Sequence, residues 1–241
     1  MIISYICTAI KKNYKIGLRK MNAVIIVAGG SGMRMNAPIP KQFLELGGKP
    51  ILMHTIEAFF RFDNEMKIVV VLPESQLEFW KALCEKYNFN LPHIIQIGGE
   101  NRFSSVKNGL QHIPHECTVA VQDGVRPLVS QDTIKRCFAT AQKHQSAVPV
   151  IDSVNSIREM TENGSVARDR SKYKLVQTPQ VFSAALLHKA YLQPFNELFT
   201  DDASLVEHLG EKITLTEGNA ENIKITTATD LAIAEILLPN I

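Results

Sequence analysis

The apolar run from Ala23 to Ala28, emptying into Gly29-Gly30-Ser31-Gly32, limits this chain more than any other stretch. A continuous apolar segment stopped by glycines reads as a strand buried on both faces, as in parallel sheets covered by helices. Glycines at the end of such a strand let the backbone approach a ligand and turn its N–H groups toward it. Arg34 and Lys41 add two fixed positive charges beside that loop. Backbone donors together with Arg and Lys are the set a polyphosphate needs.

Two common phosphate loops do not fit. No Gly-x-x-x-x-Gly-Lys-Ser/Thr spacing exists, so this is not a Walker A loop. Gly30 and Gly32 match two positions of the dinucleotide fingerprint, but Met35 stands at the third. Both motifs also run directly into a helix, whereas Pro38 and Pro40 keep this chain irregular. The first helix is expected only after Pro50, so the loop drapes over its ligand with Lys41 opposite Arg34.

The rest of the chain supplies the sheet. Helical spacing covers Ile51 to Phe62, and Lys67 to Leu72 is a solid apolar strand. Ser75 is the expected N-cap of a helix over Gln76 to Asn88. A strand at His93 to Ile97 ends in Gly98-Gly99-Glu100, followed by a helix from Asn101 to Ile113. Thr118 to Val121 is a strand, a helix from near Asp132 runs to Gln142, and Ala147 to Ile151 is the next strand. This alternation predicts an α/β fold with a doubly wound, mainly parallel, Rossmann-like sheet.

Between Asp152 and Thr178 the pattern breaks. Strands near 156–160 and 165–169 flank Asn163-Gly164, a hairpin turn signal. A lone two-stranded ribbon is marginal in water, so it needs a partner, and a second subunit is the natural one. Helices over Ser183 to Leu192 and Asp202 to Leu209 (N-cap Thr200 or Asp201), strands at Lys212 to Thr216 and Asn222 to Thr226, and a helix from Thr229 to Leu238 complete the pattern.

Composition narrows the setting. Of 241 residues 45% are hydrophobic and 21% charged, with a net charge of +2, too small to argue for nucleic acid. No apolar run approaches a membrane span. The 4 cysteines form no Cys-x-x-Cys pair, which suits a reducing cytoplasm. The first part of the chain, 1–20, is an atypical extension, apolar and then basic, the reverse of a signal peptide. A start-site artefact, a disordered leader and an extra helix are all open readings of it. Residues 21–241 are expected to form one domain with an arm at about 152–175.

In an open α/β sheet the ligand meets the carboxyl ends of the strands. Those ends here carry Ala28 to Gly32, Gly98 to Glu100, Gln122 to Arg126, Asp152, Ser153 and Lys224, a set suited to a nucleoside triphosphate and magnesium. Asp123 is the candidate metal residue, since one carboxylate beside phosphates suffices for Mg2+. Lys224, inside Ile223-Lys-Ile225, points either to solvent or into a site that needs a cation.

The ordered set of motifs resembles a known family. Ala28-Gly-Gly-Ser-Gly-Met-Arg-Met35, Pro40-Lys-Gln-Phe43, Gly98-Gly-Glu-Asn-Arg102 with Ser105, Asp123-Gly-Val-Arg-Pro127, Gln177-Thr-Pro-Gln180, Thr200-Asp201 and Asn222-Ile-Lys-Ile-Thr226 are similar to those of the cytidylyltransferases of the non-mevalonate isoprenoid pathway. The resemblance covers Met21 to the end. It implies transfer of CMP from CTP to 2-C-methyl-D-erythritol 4-phosphate, with Mg2+. It assigns Arg34 and Lys41 to the α-phosphate, and Arg170 and Lys224 to the substrate phosphate. Ala28, Gly29, Gly99, Glu100 and Ser105 fall at the cytosine, and Asp123 at the ribose and metal. Gly30, Ser31, Gly32, Arg102 and Gly124 complete the nucleotide-binding set. Arg126, Ser153, Thr178 and Thr200 fall in the polyol-phosphate pocket. It also implies a homodimer through the arm, in which Ser153 and Arg170 serve the partner's site. The sequence departs from the pattern at Glu100, at Ser153-Val-Asn155 and at Tyr173. Ribitol-5-phosphate cytidylyltransferases, a non-catalytic nucleotide-binding module of the same fold and a dinucleotide-dependent oxidoreductase are the rival readings.

Overall fold

The computed structural model describes residues 21–29 and 39–240. The expectations for 1–20, and those placed on Gly30, Ser31, Gly32, Arg34, Met35 and Pro38, lie outside the described residues. In chain order the elements are β1 (Asn22–Val27), β2 (Glu45–Leu46), β3 (Lys49–Pro50), α1 (Ile51–Phe62), β4 (Lys67–Leu72), α2 (Leu77–Lys86), β5 (Ile94–Ile97), α3 (Arg102–Leu110) and β6 (Thr118–Asp123). There follow α4 (Gln131–His144), β7 (Ser146–Asp152), β8 (Ile157–Thr161), β9 (Gly164–Arg168), β10 (Lys174–Val176), β11 (Gln180–Ser183), α5 (Ala184–Ala190), α6 (Asp202–His208), β12 (Leu215–Glu217) and α7 (Ala228–Leu237).

The apolar run forms the central strand. β4 and β6 flank β1, both parallel to it, and β5 extends the sheet beyond β4. Side chains alternate along β1. Val24 and Ile26 join the core beneath α1, α2 and α4. Ala23 and Ile25 join the core beneath α3, α5 and α6. Both faces are covered, which is why the strand reads as an unbroken apolar run. Three helices begin with reciprocal capping boxes, Asn101 with Ser104, Asp201 with Ser204 and Thr227 with Asp230. No helix among the described residues is long and apolar enough to cross a membrane.

Several expectations are corrected. β11 lies antiparallel between β6 and β7, and β10 runs antiparallel along β7, whose other edge carries β12 in parallel. The sequence gives no sign of β10 and β11, because each is too short to show a period and Pro179 separates them. The 222–226 segment is irregular rather than a strand. Its polar groups are taken by other partners: Arg126 Nη1 donates to the Asn222 carbonyl (2.7 Å) and Asn222 Nδ2 to the Thr178 carbonyl (2.8 Å). Ser75 is not an N-cap, because a 3-10 turn over Glu74–Gln76 follows Pro73 and α2 begins at Leu77 without a side-chain cap. β6 runs two residues past its expected end, placing Asp123 on its last rung with Val27. In the hairpin, Gly164 already pairs with Thr161, so the turn is Glu162-Asn163.

Gly109 shows how closely α3 sits on the sheet. A Cβ there would lie 2.7 Å from Ile25 Cγ2 and 3.1 Å from Val71 Cγ2. Alanine in place of glycine normally favours a helix by about 1 kcal/mol, but here overpacking decides the sign. Gly109→Ala is expected to lower stability by about 1–3 kcal/mol in urea denaturation. An increase would show that the sheet yields to the extra methyl.

Candidate active site

Carboxyl ends of β1, β4, β5 and β6 open onto one cavity of about 270 Å³. Ala28, Gly29, Lys41, Gly99, Glu100, Arg102, Ser105, Asp123 and Lys224, all expected from the sequence, line it. The backbone ladder continues past the strand ends into the wall. Ala28 N–H donates to the Val71 carbonyl (3.0 Å) and Gly98 N–H to the Leu72 carbonyl (2.8 Å).

The Gly98-Gly99 turn is pressed onto the first turn of α3. Gly99 N–H donates to Ser105 Oγ (3.1 Å), and a Cβ on Gly99 would lie 2.5 Å from Ser104 Cβ. Only glycine fits there, and Ser105 fixes the turn as well as lining the cavity. Gly124 has a different part from the one expected. It is not in the lining; it packs under Ala28, where a Cβ would come within 2.8 Å of the Ala28 Cβ. Its carbonyl accepts from Thr55 Oγ1 (3.0 Å).

Asp123 is the charged hub. Arg126 Nε and Lys224 Nζ each lie 3.1 Å from its Oδ2. Oδ1 has no hydrogen bond among the described residues. Burial pushes the carboxyl up, but Lys224, then Arg102 and Arg126, outweigh it and hold it below its ordinary value of 3.8. Lys224 therefore points into the site, anchored beside the buried Ile225, whose N–H donates to the Val125 carbonyl (2.9 Å). Across the cavity, Arg102 Nη2 meets the fully buried Asp202 at 2.5 Å. Tyr191 OH donates to the same carboxylate (2.6 Å). Burial and then the Asp202 charge push that phenol well above its usual range. Burial works against the Arg102 charge, but Asp202 more than restores it.

Of the residues expected at the polyol phosphate, Lys224 lines this cavity, and Arg126, Ser153, Arg170, Thr178 and Thr200 do not. Arg126 spans Asp123 and the Asn222 carbonyl as a strut. Thr178 is buried, its Oγ1 accepting from Asp123 N–H (3.1 Å). Ser153 Oγ donates to the Asn155 carbonyl (3.1 Å), and Thr200 N–H to the Leu198 carbonyl (3.0 Å). Arg170 is exposed at the foot of the hairpin and donates to the Val154 carbonyl. Gln42, Asn101 and Val125 line the cavity from inside quoted motifs without being singled out as site residues. Gln42 is fully buried and donates to the Ala28 carbonyl (2.7 Å). Its only sequence signal is a polar residue between Lys41 and the core residue Phe43. Among the described residues no three His, Cys, Asp or Glu side chains form a metal cage. Asp123 Oδ1 fits an ion that phosphate oxygens also hold.

A family model described as 2-C-methyl-D-erythritol 4-phosphate cytidylyltransferase matches residues 22–240. A protein of that name from Phocaeicola vulgatus is 56% identical over 215 residues, covering 89% of this chain and 98% of that protein. One from Bacteroides fragilis is 55% identical over 214 residues, covering 89% and 98%. Among solved structures, 4-diphosphocytidyl-2C-methyl-D-erythritol synthase from Anaerococcus prevotii gives a TM-score of 0.77 at 26% identity, covering 91% of this chain and 96% of that one. The 2-C-methyl-D-erythritol 4-phosphate cytidylyltransferase of Thermus thermophilus gives 0.72 at 30% identity, covering 91% and 99%.

The depressed Asp123 carboxyl has a pH signature. Its ion pairs contribute stability above 3.8, and that contribution is lost as pH falls below it. Asp123→Asn is expected to cost about 1–3 kcal/mol at pH 7, less than a fully buried pair would, because Lys224 remains 43% exposed. Denaturant melts from pH 7 to pH 2 should show the gap between wild type and variant shrinking below the ordinary aspartate value. A gap independent of pH would mean that the carboxylate charge is not what stabilises.

Proposed function

This chain belongs to the 2-C-methyl-D-erythritol 4-phosphate cytidylyltransferase family, and on that premise we propose that its cavity binds CTP and presents the α-phosphate to 2-C-methyl-D-erythritol 4-phosphate. The enzyme transfers CMP, giving 4-diphosphocytidyl-2-C-methyl-D-erythritol and pyrophosphate. The observation that carries the site assignment is one cavity holding the Gly98-Gly99 turn, Lys41, Asp123 and Lys224 together.

The chemistry needs position and charge rather than a proton carrier. A phosphate monoester has a second pKa of about 6, so the attacking oxygen is already anionic at neutral pH. The barrier lies in bringing two anions together and in holding charge on the α-phosphate and the departing pyrophosphate. Lys41 and Arg34 meet the α-phosphate, and Lys224 with Arg170 holds the incoming phosphate. Asp123 sets the place of Lys224 and takes the ribose or metal edge. A Mg2+ carried by the triphosphate would spread charge over its oxygens, with Asp123 its protein oxygen. Ala28, Gly29, Gly99, Glu100 and Ser105 enclose the base, with Arg102 in the same wall. Gly30, Ser31 and Gly32 complete the nucleotide-binding set.

The hairpin crosses to a second copy, so that Arg170 and Ser153 complete the partner's site beside its Arg126, Thr178 and Thr200. Support comes from β8 and β9, which among the described residues pair only with each other and leave Met160 79% and Val166 47% exposed. The reducing cytoplasm is its place of work, in keeping with four cysteines that form no Cys-x-x-Cys pair.

The assignment is tested by pyrophosphate release from CTP. Release is expected with 2-C-methyl-D-erythritol 4-phosphate; a higher kcat/KM with ribitol 5-phosphate, or none with either, would overturn it. Lys41→Ala should lower kcat by ~10²–10³, about 3–4 kcal/mol, while the KM for CTP moves only a few-fold. Near-normal turnover would remove Lys41 from its role. Equal mixing of Lys41→Ala and Arg170→Ala chains should restore roughly a quarter of wild-type activity, since half the dimers are mixed and each has one intact site. No recovery would place Arg170 in its own subunit's site.

A further inference from the structure

Lys41, Gln42 and Phe43 form one 3-10 turn behind Pro40. With three residues per turn, their side chains leave about a third of a turn apart. Lys41 lines the cavity. Phe43 enters the core against the rings of Phe79 and Trp80, at 5.3 and 6.0 Å between centroids. Gln42 takes the third direction, where its Nε2 donates both to the Ala28 carbonyl at the end of β1 (2.7 Å) and to Gln76 Oε1 ahead of α2 (2.6 Å). Its Oε1 is buried without a partner among the described residues. An apolar side chain would remove that unpaired oxygen but would leave the Ala28 carbonyl and Gln76 Oε1 without their donor.

We infer that Gln42 is a positioning residue for Lys41: it ties the turn to the end of β1, so that a turn already packed through Phe43 cannot rock about that single anchor. This rests on the role proposed above for Lys41. A misplacement of 1 Å can cost about a hundredfold in rate. Those two bonds thus keep Lys41 in register with the end of β1.

Gln42→Leu tests it. The expected result is a kcat ~10- to 100-fold lower, a KM for CTP within a few-fold, and a melting temperature that is lowered but stays above the assay temperature. Hydrogen exchange should quicken at the Phe43 and Leu44 amides, which close the turn on the Pro40 and Lys41 carbonyls. A kcat near wild type, or one that falls only with the folded fraction, would overturn the inference. If the variant does not fold, Gln76→Met, which breaks only the outer bond, decides. A lowered kcat with an unmoved KM supports the inference, and an unchanged kcat overturns it. If wild type itself releases no pyrophosphate, the functional reading fails. Exchange at the turn then decides alone: faster exchange in Gln42→Leu supports the anchor, and unchanged exchange overturns it.

Discussion

The Asp123 carboxylate, with Arg126 and Lys224 both on one of its oxygens, is the interaction on which the geometry of the cleft depends. A buried carboxylate alone would lose its charge or unfold its surroundings. Placed on the last rung of β6, it is paired by one cation from the following turn and another from a segment about a hundred residues later. Arg126 makes the arrangement rigid by also holding the Asn222 carbonyl. The irregular 222–226 segment is thereby fastened to the strand end, and the Lys224 ammonium stands at the cavity instead of in solvent.

The sheet supplies the other constraint. β1 is covered on both faces, so its exit is fixed and Ala28 has little freedom. Gly124 packs beneath it without a Cβ, Gln42 grips its carbonyl and Val71 accepts its N–H. On the far wall Asp202 holds Arg102, with Tyr191 completing the carboxylate's partners. Cations therefore stand on several walls of a cavity whose backbone is held at each strand end, as a reaction between two anions requires.

Long periods made much of this legible. Ile51 to Phe62 and Lys67 to Leu72 are a helix and a strand with those bounds because each buries a sustained apolar pattern. The cavity residues were legible because glycines, carboxylates and cations cluster at strand ends. β11 was not, because four residues inserted antiparallel between two parallel strands carry no period of their own. Lys224 was ambiguous for a physical reason: isoleucines on either side mimic a strand, while its true setting is decided by Asp123, 101 positions earlier in the numbering. The Arg102–Asp202 pair spans a separation of 100 residues and has no local signal. The arm at 157–168 was visible as a hairpin, because Asn163-Gly164 marks its turn region and the flanking strands pair with each other.

The central claim is that CMP passes directly between phosphates, positioned by lysine and arginine, with no covalent enzyme intermediate. Stereochemistry at the α-phosphorus tests this most directly. With CTP whose α-phosphorus is made chiral by a sulfur in place of one non-bridging oxygen, a single in-line displacement must invert the configuration at that phosphorus in the product, as read by phosphorus NMR. Retention would require two displacements through a side-chain nucleophile and would contradict the mechanism.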